Sequence, residues 1–160
     1  MKIKIYTTGG TIDKIYFDQK SEFQVGEPQI QELLREANIT FDFEVESLMR
    51  KDSLDMNEAD RALIAERIRH DPSERILLTH GTDTMLETAR ALLGIEGKTI
   101  VLVGSMQPAR LRHSDAIFNI GYAVATAQMM PPGIYVAMNG QVFDPLHARK
   151  NVACHRFESI

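Results

Sequence analysis

Three short stretches of this chain carry side chains whose types and spacing suit chemistry on a small polar ligand. The first is Thr7-Thr8-Gly9-Gly10-Thr11-Ile12. Its two glycines let the backbone turn sharply and let a ligand approach the amides. A threonine hydroxyl held there becomes a nucleophile when a base takes its proton. The pattern is neither G-x-G-x-x-G nor a P-loop. Taken alone it suits a nucleophile, a hydroxyl-rich anion loop of the flavodoxin kind, or a plain chain reversal, and these residues leave the three open. The second stretch is His80-Gly81-Thr82-Asp83-Thr84, where a helix begins. Thr84 with Glu87 three residues on fits a reciprocal capping box, which frees Thr82 and Asp83 to project from a strand-to-helix corner. Asp83 as the cap itself is the competing reading. His80 has the titration range of a general base, but a histidine at a strand end reads first as a hydrogen-bonded structural residue. The third is Lys150, which follows the polar segment 144–149. It matters only if the fold returns it to the edge of a sheet, where a carboxylate and desolvation tune a lysine as a proton carrier. Ser53 precedes the helix cap Asn57 and offers a hydroxyl to a ligand carboxylate, while Asp55, Ser114 and Asp115 read as helix-start residues. His70, His113, His147 and His155 lack the spacing of metal ligands, so no metal site is expected.

The elements that must hold these residues alternate strand and helix. Strands are expected over 3–7, 41–48, 75–79, 98–104 and 133–138, with a short sixth at 141–143. The period-2 alternation of Phe41, Phe43 and Val45 with Asp42, Glu44 and Glu46 marks a half-buried strand. The run Thr99-Ile100-Val101-Leu102-Val103 is apolar at every position after Thr99, as a central parallel strand is. Helices are expected over 28–37, 57–69, 84–93 and 114–129. Leu63, Ile64 and Ile68 form the apolar stripe of the second, and Gly94 stops the third. Residues 8–27 read as irregular. This order predicts a single α/β domain, with a three-layer, doubly wound, mostly parallel sheet of flavodoxin-like or Rossmann-like type. Such sheets bind ligands outside the carboxyl ends of their strands, which is where all the hydroxyl-, glycine- and carboxylate-bearing segments above fall.

Composition narrows the partners. The 160 residues suffice for one domain with a core large enough to fold without disulfides or metal. Hydrophobic residues make up 44% and charged residues 25%, with a net charge of −4 and no basic block, so neither disorder nor a nucleic-acid partner is expected. No apolar run approaches the roughly 20 residues of a membrane span, and the N-terminus lacks the apolar core of a signal peptide. The one cysteine, Cys154, fits a reducing compartment, and a cytoplasmic location is expected.

Taken together, the segments resemble the N-terminal domain of the bacterial-type L-asparaginases. The resemblance rests on Thr7-Thr8-Gly9-Gly10-Thr11-Ile12, Asp52-Ser53-Leu54-Asp55-Met56, His80-Gly81-Thr82-Asp83-Thr84-Met85, Val103-Gly104-Ser105-Met106-Gln107-Pro108 and residues 144–150, in order along nearly the whole chain. It implies an amidohydrolase that converts L-asparagine to L-aspartate and ammonia through an acyl-enzyme, with no cofactor. Thr11 matches the nucleophile of that family; Thr82, Asp83 and Lys150 match the group that polarises it and carries its proton. Asp83 is also implied to hold the substrate's α-ammonium and Ser53 its α-carboxylate, with Gly10, Tyr16 and Ser105 completing the substrate pocket. Two departures stand out. Phe23 in Phe23-Gln24-Val25-Gly26 occupies the place of the family's loop tyrosine, for which Tyr16 is the available substitute. The chain also ends at Ile160, near where a linker to the family's C-terminal domain would begin, so a short single-domain protein is expected. Surface left uncovered by that domain implies a homodimer or homotetramer, with the helix over 114–129 as one contact. From other classes, the same residues suit a non-catalytic amino-acid-binding module or a flavodoxin-like protein holding a flavin phosphate.

Overall fold

The computed structural model describes residues 1–160. Its elements are β1 (Lys2–Gly9), a hairpin of β2 (Lys14–Phe17) and β3 (Glu22–Val25), α1 (Ile30–Glu36), β4 (Asp42–Lys51), α2 (Glu58–His70), β5 (Arg75–Thr79), α3 (Met85–Ala91), β6 (Thr99–Val103), α4 (Ala116–Met129), β7 (Gly133–Met138), β8 (Gln141–Phe143), and a second hairpin of β9 (Ala148–Asn151) and β10 (Arg156–Ser159). Single 3-10 turns cover Thr11–Asp13 and Ser53–Asp55. The main sheet runs β4-β1-β5-β6-β7-β8; every pairing is parallel except the last. Counting only the parallel strands in chain order, this is the 2-1-3-4-5 order of flavodoxin-like sheets, so the switch point lies between β1 and β5.

Side chains alternate across the sheet and fill a layer on each face. Tyr6, Ile76, Leu78, Ile100, Leu102, Val136 and Met138 pack against Ile64, Ala65 and Ile68 of α2, Met85 and Ala89 of α3, and Leu92 at the end of α3. Ile3, Ile5, Leu77, Val101, Val103 and Ala137 pack against Ile30 and Leu34 of α1 and Ala116, Ile120, Ala123 and Ala127 of α4. The architecture is therefore the expected three-layer α/β domain. Asn57 caps α2 in a capping box closed by Asp60, its side chain accepting from Asp60 N–H while its own N–H donates back.

Several local expectations differ from the structure. Residues 8–27 are not irregular: β2 and β3 pair with Tyr16 opposite Phe23. Their turn contains no glycine and relies on Ser21 in the left-handed region, φ 50°, so it carries no hairpin signature. The hairpin β9–β10 has no such signature either; His155, φ 49°, takes the strained position in its turn. Leu63 is exposed, and the buried stripe of α2 recruits Ala65 and Arg61 instead. Thr84 makes no side-chain cap to α3, and Glu87 pairs with Arg61 at 3.2 Å rather than with the Thr84 amide. Asp115 does not cap α4 through its side chain: its carboxylate faces backwards and accepts from the amides of Met106 and Gln107 and from Asn119 Nδ2.

Candidate active site at the switch point

Gly10 and Gly81 bring together the two loops at the switch point. A Cβ on Gly10 would stand 2.5 Å from Gly81 Cα and N, and Gly10 has φ 86°. A Cβ on Gly81 would stand 2.6 Å from Ser53 Cβ and Oγ. The Gly10 and Gly81 backbones and the Ser53 side chain thus pack with no room for a methyl group between them. Because Thr11 follows Gly10 and Thr82 follows Gly81, the contact sets the two threonines on adjoining strand ends. The loop bearing Thr11 is pinned from several sides. Gly10 N–H donates to Lys51 O at 2.8 Å, Asp13 N–H to Gly10 O at 3.2 Å, Ala109 N–H to Ile12 O at 3.0 Å and Gly26 N–H to Asp13 O at 2.8 Å. Thr11 itself is half-buried. Gly81→Ala is expected to lower stability by about 1–3 kcal/mol, the usual cost of forcing an extra methyl into a filled site, measured by urea denaturation; a change below a few tenths of a kcal/mol would contradict the packing.

Lys150 arrives from the other end of the chain. The β9–β10 hairpin is anchored by Ala148 and Phe157, both buried in the layer of α2 and α3, where Phe157 packs against Phe143. From that anchor Lys150 Nζ donates to Thr82 Oγ1 at 2.8 Å and to Asp83 Oδ1 at 2.6 Å. The lysine side chain is 16% exposed and Asp83 42%, so the pair lines an edge that meets solvent. Ser53 is 1% exposed and its hydroxyl has no partner in the chain. Its carbonyl accepts from Thr84 Oγ1 at 2.8 Å, which ties the Ser53 turn to the Thr82–Asp83 corner and explains why Thr84 is not a cap.

Tyr16 and Ser105 are the remaining expected site residues. Tyr16 is exposed on the β2–β3 hairpin with its ring 5.5 Å from that of Phe23, edge to face. The two are cross-strand partners, so both rings leave the same face of the hairpin. Lys14 on that face forms an ion pair with Asp52 at 2.8 Å, and that contact holds the Asp52 carboxyl below its usual range. Between hairpin and β4 lies a cleft of about 590 Å³ lined by Lys14, Phe23, Val25, Arg50, Asp52 and Asp55. Ser105 is buried, and its hydroxyl donates to Gln107 O at 2.5 Å. Two donors that a phosphate would need in the Thr7–Thr11 stretch are engaged internally, Gly10 N–H by Lys51 O and the Thr8 hydroxyl by Thr79 O at 2.8 Å. No group of three or more His, Cys, Asp or Glu is placed to hold a metal ion.

Two buried titratable groups flank the site, and sequence reasoning missed the first. Asp13, two residues past Thr11, accepts from Gln29 N–H at 2.9 Å, and burial pushes its carboxyl up to about 7. Its only signal was its place within a turn that the chain must bury. His80 is the structural residue expected: it is fully buried, and burial pushes its imidazole down to about 4. These shifts act in opposite directions. Asp13 takes up a proton on folding between its ordinary 3.8 and about 7, so its contribution is greatest below pH 4 and falls as the pH rises. His80 loses a proton on folding between about 4 and its ordinary 6.5, so its contribution is present above 6.5 and is lost as the pH falls. Asp13→Asn is expected to keep the Gln29 bond and to unmask the His80 slope. Urea stability of that variant should then rise relative to wild type between about pH 4 and 7, by on the order of 2–4 kcal/mol; parallel profiles would contradict the assignment.

Comparison with known proteins identifies the family of the chain. The family described as Asparaginase, N-terminal, matches residues 2–160. L-asparaginase 2 of Escherichia coli (strain K12) is 34% identical over 156 residues, which cover 89% of this chain and 44% of that protein. A component of the glutamyl-tRNA(Gln) amidotransferase of Methanococcus vannielii is 42% identical over 76 residues, covering 46% of this chain and 18% of that one. The solved structure of the thermostable L-asparaginase from Thermococcus kodakarensis superposes with a TM-score of 0.86 at 28% identity, over 100% of this chain and 51% of that one. The chain spans about half the length of these asparaginases. With its sheet order, its paired glycine loops and a sequence match from residue 2 to residue 160, the chain belongs to the asparaginase family, in the part described as that family's N-terminal domain.

Proposed function

We propose that the protein is an amidohydrolase that releases ammonia from L-asparagine through Thr11. The observation that carries this reading is Lys150, which lies 67 positions from Asp83 in the chain yet donates to both Thr82 Oγ1 and Asp83 Oδ1 beside the Gly10–Gly81 contact. A hydroxyl is a poor nucleophile until its proton has somewhere to go. In this reading Thr11 Oγ1 attacks the side-chain carbonyl carbon, and its proton passes to the Thr82–Lys150–Asp83 group. Loop amides stabilise the oxyanion. The proton is then delivered to the amide nitrogen, the C–N bond breaks, and ammonia leaves an aspartyl ester on Thr11. Water attacks the ester and aspartate is released. Asp83 holds the substrate's α-ammonium, and the unpartnered hydroxyl of buried Ser53 donates to its α-carboxylate. Gly10 and Ser105 shape the pocket, and Tyr16, on the same hairpin face as Phe23, supplies the phenol that Phe23 lacks.

The reading is tested by ammonia release from L-asparagine and L-glutamine. Turnover of asparagine is expected. Asp83→Ala is expected to raise KM and lower kcat together, by about tenfold or more each; an unchanged KM would remove Asp83 from substrate binding. The match to a relative named as part of a glutamyl-tRNA(Gln) amidotransferase favours a second reading, in which glutamine is the preferred amide. A glutamine kcat/KM above that of asparagine would select it. A purified protein that binds aspartate without turnover would instead support the amino-acid-binding module, and flavin absorbance would support the phosphate loop. We also propose a homodimer or homotetramer. The uncharged helix α4 leaves Ile117, Phe118 and Met129 exposed, and light scattering at a monomer mass would reject this. The cytoplasmic assignment rests on the single exposed Cys154.

A further inference from the structure

Gly81 is crowded by its neighbours in the site and has no side chain of its own to restrain it. It lies between Gly10 on one side and Ser53 on the other, closer to each than any Cβ would allow. A glycine so placed gains close approach but keeps wide conformational freedom, so something else must set its peptide. The candidate is the preceding residue. His80 is fully buried, and its backbone is fixed at the end of the adjacent strand. Its N–H donates to Val103 O at 2.9 Å, and its carbonyl packs so close to Gly104 that no Cβ fits there. From that clamp the ring turns forward. Nδ1 lies 2.7 Å from Gly81 O, and because a carbonyl only accepts, Nδ1 carries the hydrogen. Nε2 is then the acceptor and takes the hydroxyl hydrogen of Thr88 at 2.7 Å, from α3. Met56 Sδ lies 3.2 Å from Nε2 and fills the space beyond it.

We propose that His80 is a positioning residue of this site: its Nδ1–H fixes the Gly81 carbonyl and so sets the Gly81–Thr82 peptide against Gly10 and Ser53. The proposal rests on the reading of the site given above and extends it by one residue. The peptide unit is planar, so a fixed Gly81 C=O fixes the direction of the Thr82 N–H and the starting point of the Thr82 side chain. That side chain is the one Lys150 meets at 2.8 Å. The imidazole touches no reacting atom. It carries the rigidity of α3, through Thr88, into a peptide that glycine would leave loose. Simple core filling would be served by an apolar side chain. What the geometry requires is a donor aimed at one carbonyl and an acceptor aimed at one hydroxyl, in a single flat group.

Two near-isosteric substitutions separate the two bonds. The side-chain amide nitrogen of asparagine reaches the place of Nδ1, and that of glutamine reaches toward the place of Nε2. His80→Asn therefore keeps the donor to Gly81 O, whereas His80→Gln gives it up. The expected result is that His80→Asn stays within about threefold of wild-type kcat while His80→Gln falls by about 10- to 100-fold, the scale of a small misplacement at a reacting centre. Melting temperatures of the two should drop alike. Thr88→Val, which removes only the Nε2 partner, should leave kcat within about threefold. Independently of turnover, the amide proton resonance of Thr82 should move in His80→Gln and hold its place in His80→Asn and Thr88→Val. Equal kcat losses in the Asn and Gln variants, or a Thr82 resonance that holds still in His80→Gln, would overturn the proposal. If wild type releases no ammonia, the amidohydrolase reading fails, and the resonance alone decides whether His80 sets the peptide.

Discussion

Thr11→Ala is expected to fold as wild type does and to lose at least about a thousandfold in the rate of ammonia release from L-asparagine, as removal of a nucleophile typically does. The folding half of this result follows from where the loop is held. Its bonds run through the backbone, from Gly10 N–H to Lys51 O and from Ala109 N–H to Ile12 O, and through the Gly10–Gly81 contact. Its apolar anchor is Ile12, fully buried, while the Thr11 side chain is half-buried. Loss of one methyl-bearing hydroxyl at such a place costs less than about 1 kcal/mol. The kinetic half follows from chemistry. Without the hydroxyl no ester forms, and what remains is whatever catalysis orientation and loop amides provide for direct attack by water. Equal rates in the two proteins would remove Thr11 from the reaction altogether.

Lys150→Met should rank second, with kcat lower by about 100- to 10,000-fold, the range for loss of a positioned proton carrier. Methionine preserves the apolar stem that crosses from β9 to the strand ends but donates to neither Thr82 nor Asp83. The more telling comparison is Lys150→Arg. Arginine keeps the positive charge and the reach, yet its guanidinium does not deprotonate in proteins. If Lys150 only neutralises Asp83, the arginine variant should recover most of the activity. The proton-carrying role predicts that it stays close to the methionine variant. Steady-state kinetics across pH 5–9 distinguish the two, and a recovery to within about threefold of wild type would restrict Lys150 to charge balance.

How legible all this was depended on the range of the interactions concerned. The main sheet and the four helices were readable because each depends on local periodicity: Ile100 to Val103 is apolar at every position and lies buried mid-sheet. Asn57 was readable as a cap because capping is a matter of three residues. The hairpins were not readable, because Ser21 and His155 occupy turn positions where glycine or asparagine is the usual signal. Thr84 and Glu87 matched a capping box in spacing. Their side chains went elsewhere because better partners, the Ser53 carbonyl and Arg61, lay across the fold. Asp115 is the same lesson at a helix start, since two amides of the loop after β6 claimed its carboxylate.

The site itself divides in the same way. Thr11, Thr82 and Asp83 stood out because they follow strands at the edge where such sheets bind ligands. Lys150 carried no local signal. Its meaning depended on a hairpin anchored by Phe157 and Ala148, 67 positions beyond the carboxylate it meets. Gly81 was visible only as a turn residue, although the absence of its side chain is what lets Gly10 and Ser53 close on either side. Asp13 and the two-way bonding of His80 depended on burial, which no spacing of residues discloses.

The role of Thr11 as nucleophile is tested by a rapid acid quench of the protein turning over L-asparagine, followed by peptide mapping by mass spectrometry. A single aspartyl adduct is expected on the peptide bearing Thr11, absent from Thr11→Ala and accumulating when water attack is slowed. Turnover with no adduct on that peptide, or an aspartyl ester on any other residue, would contradict it.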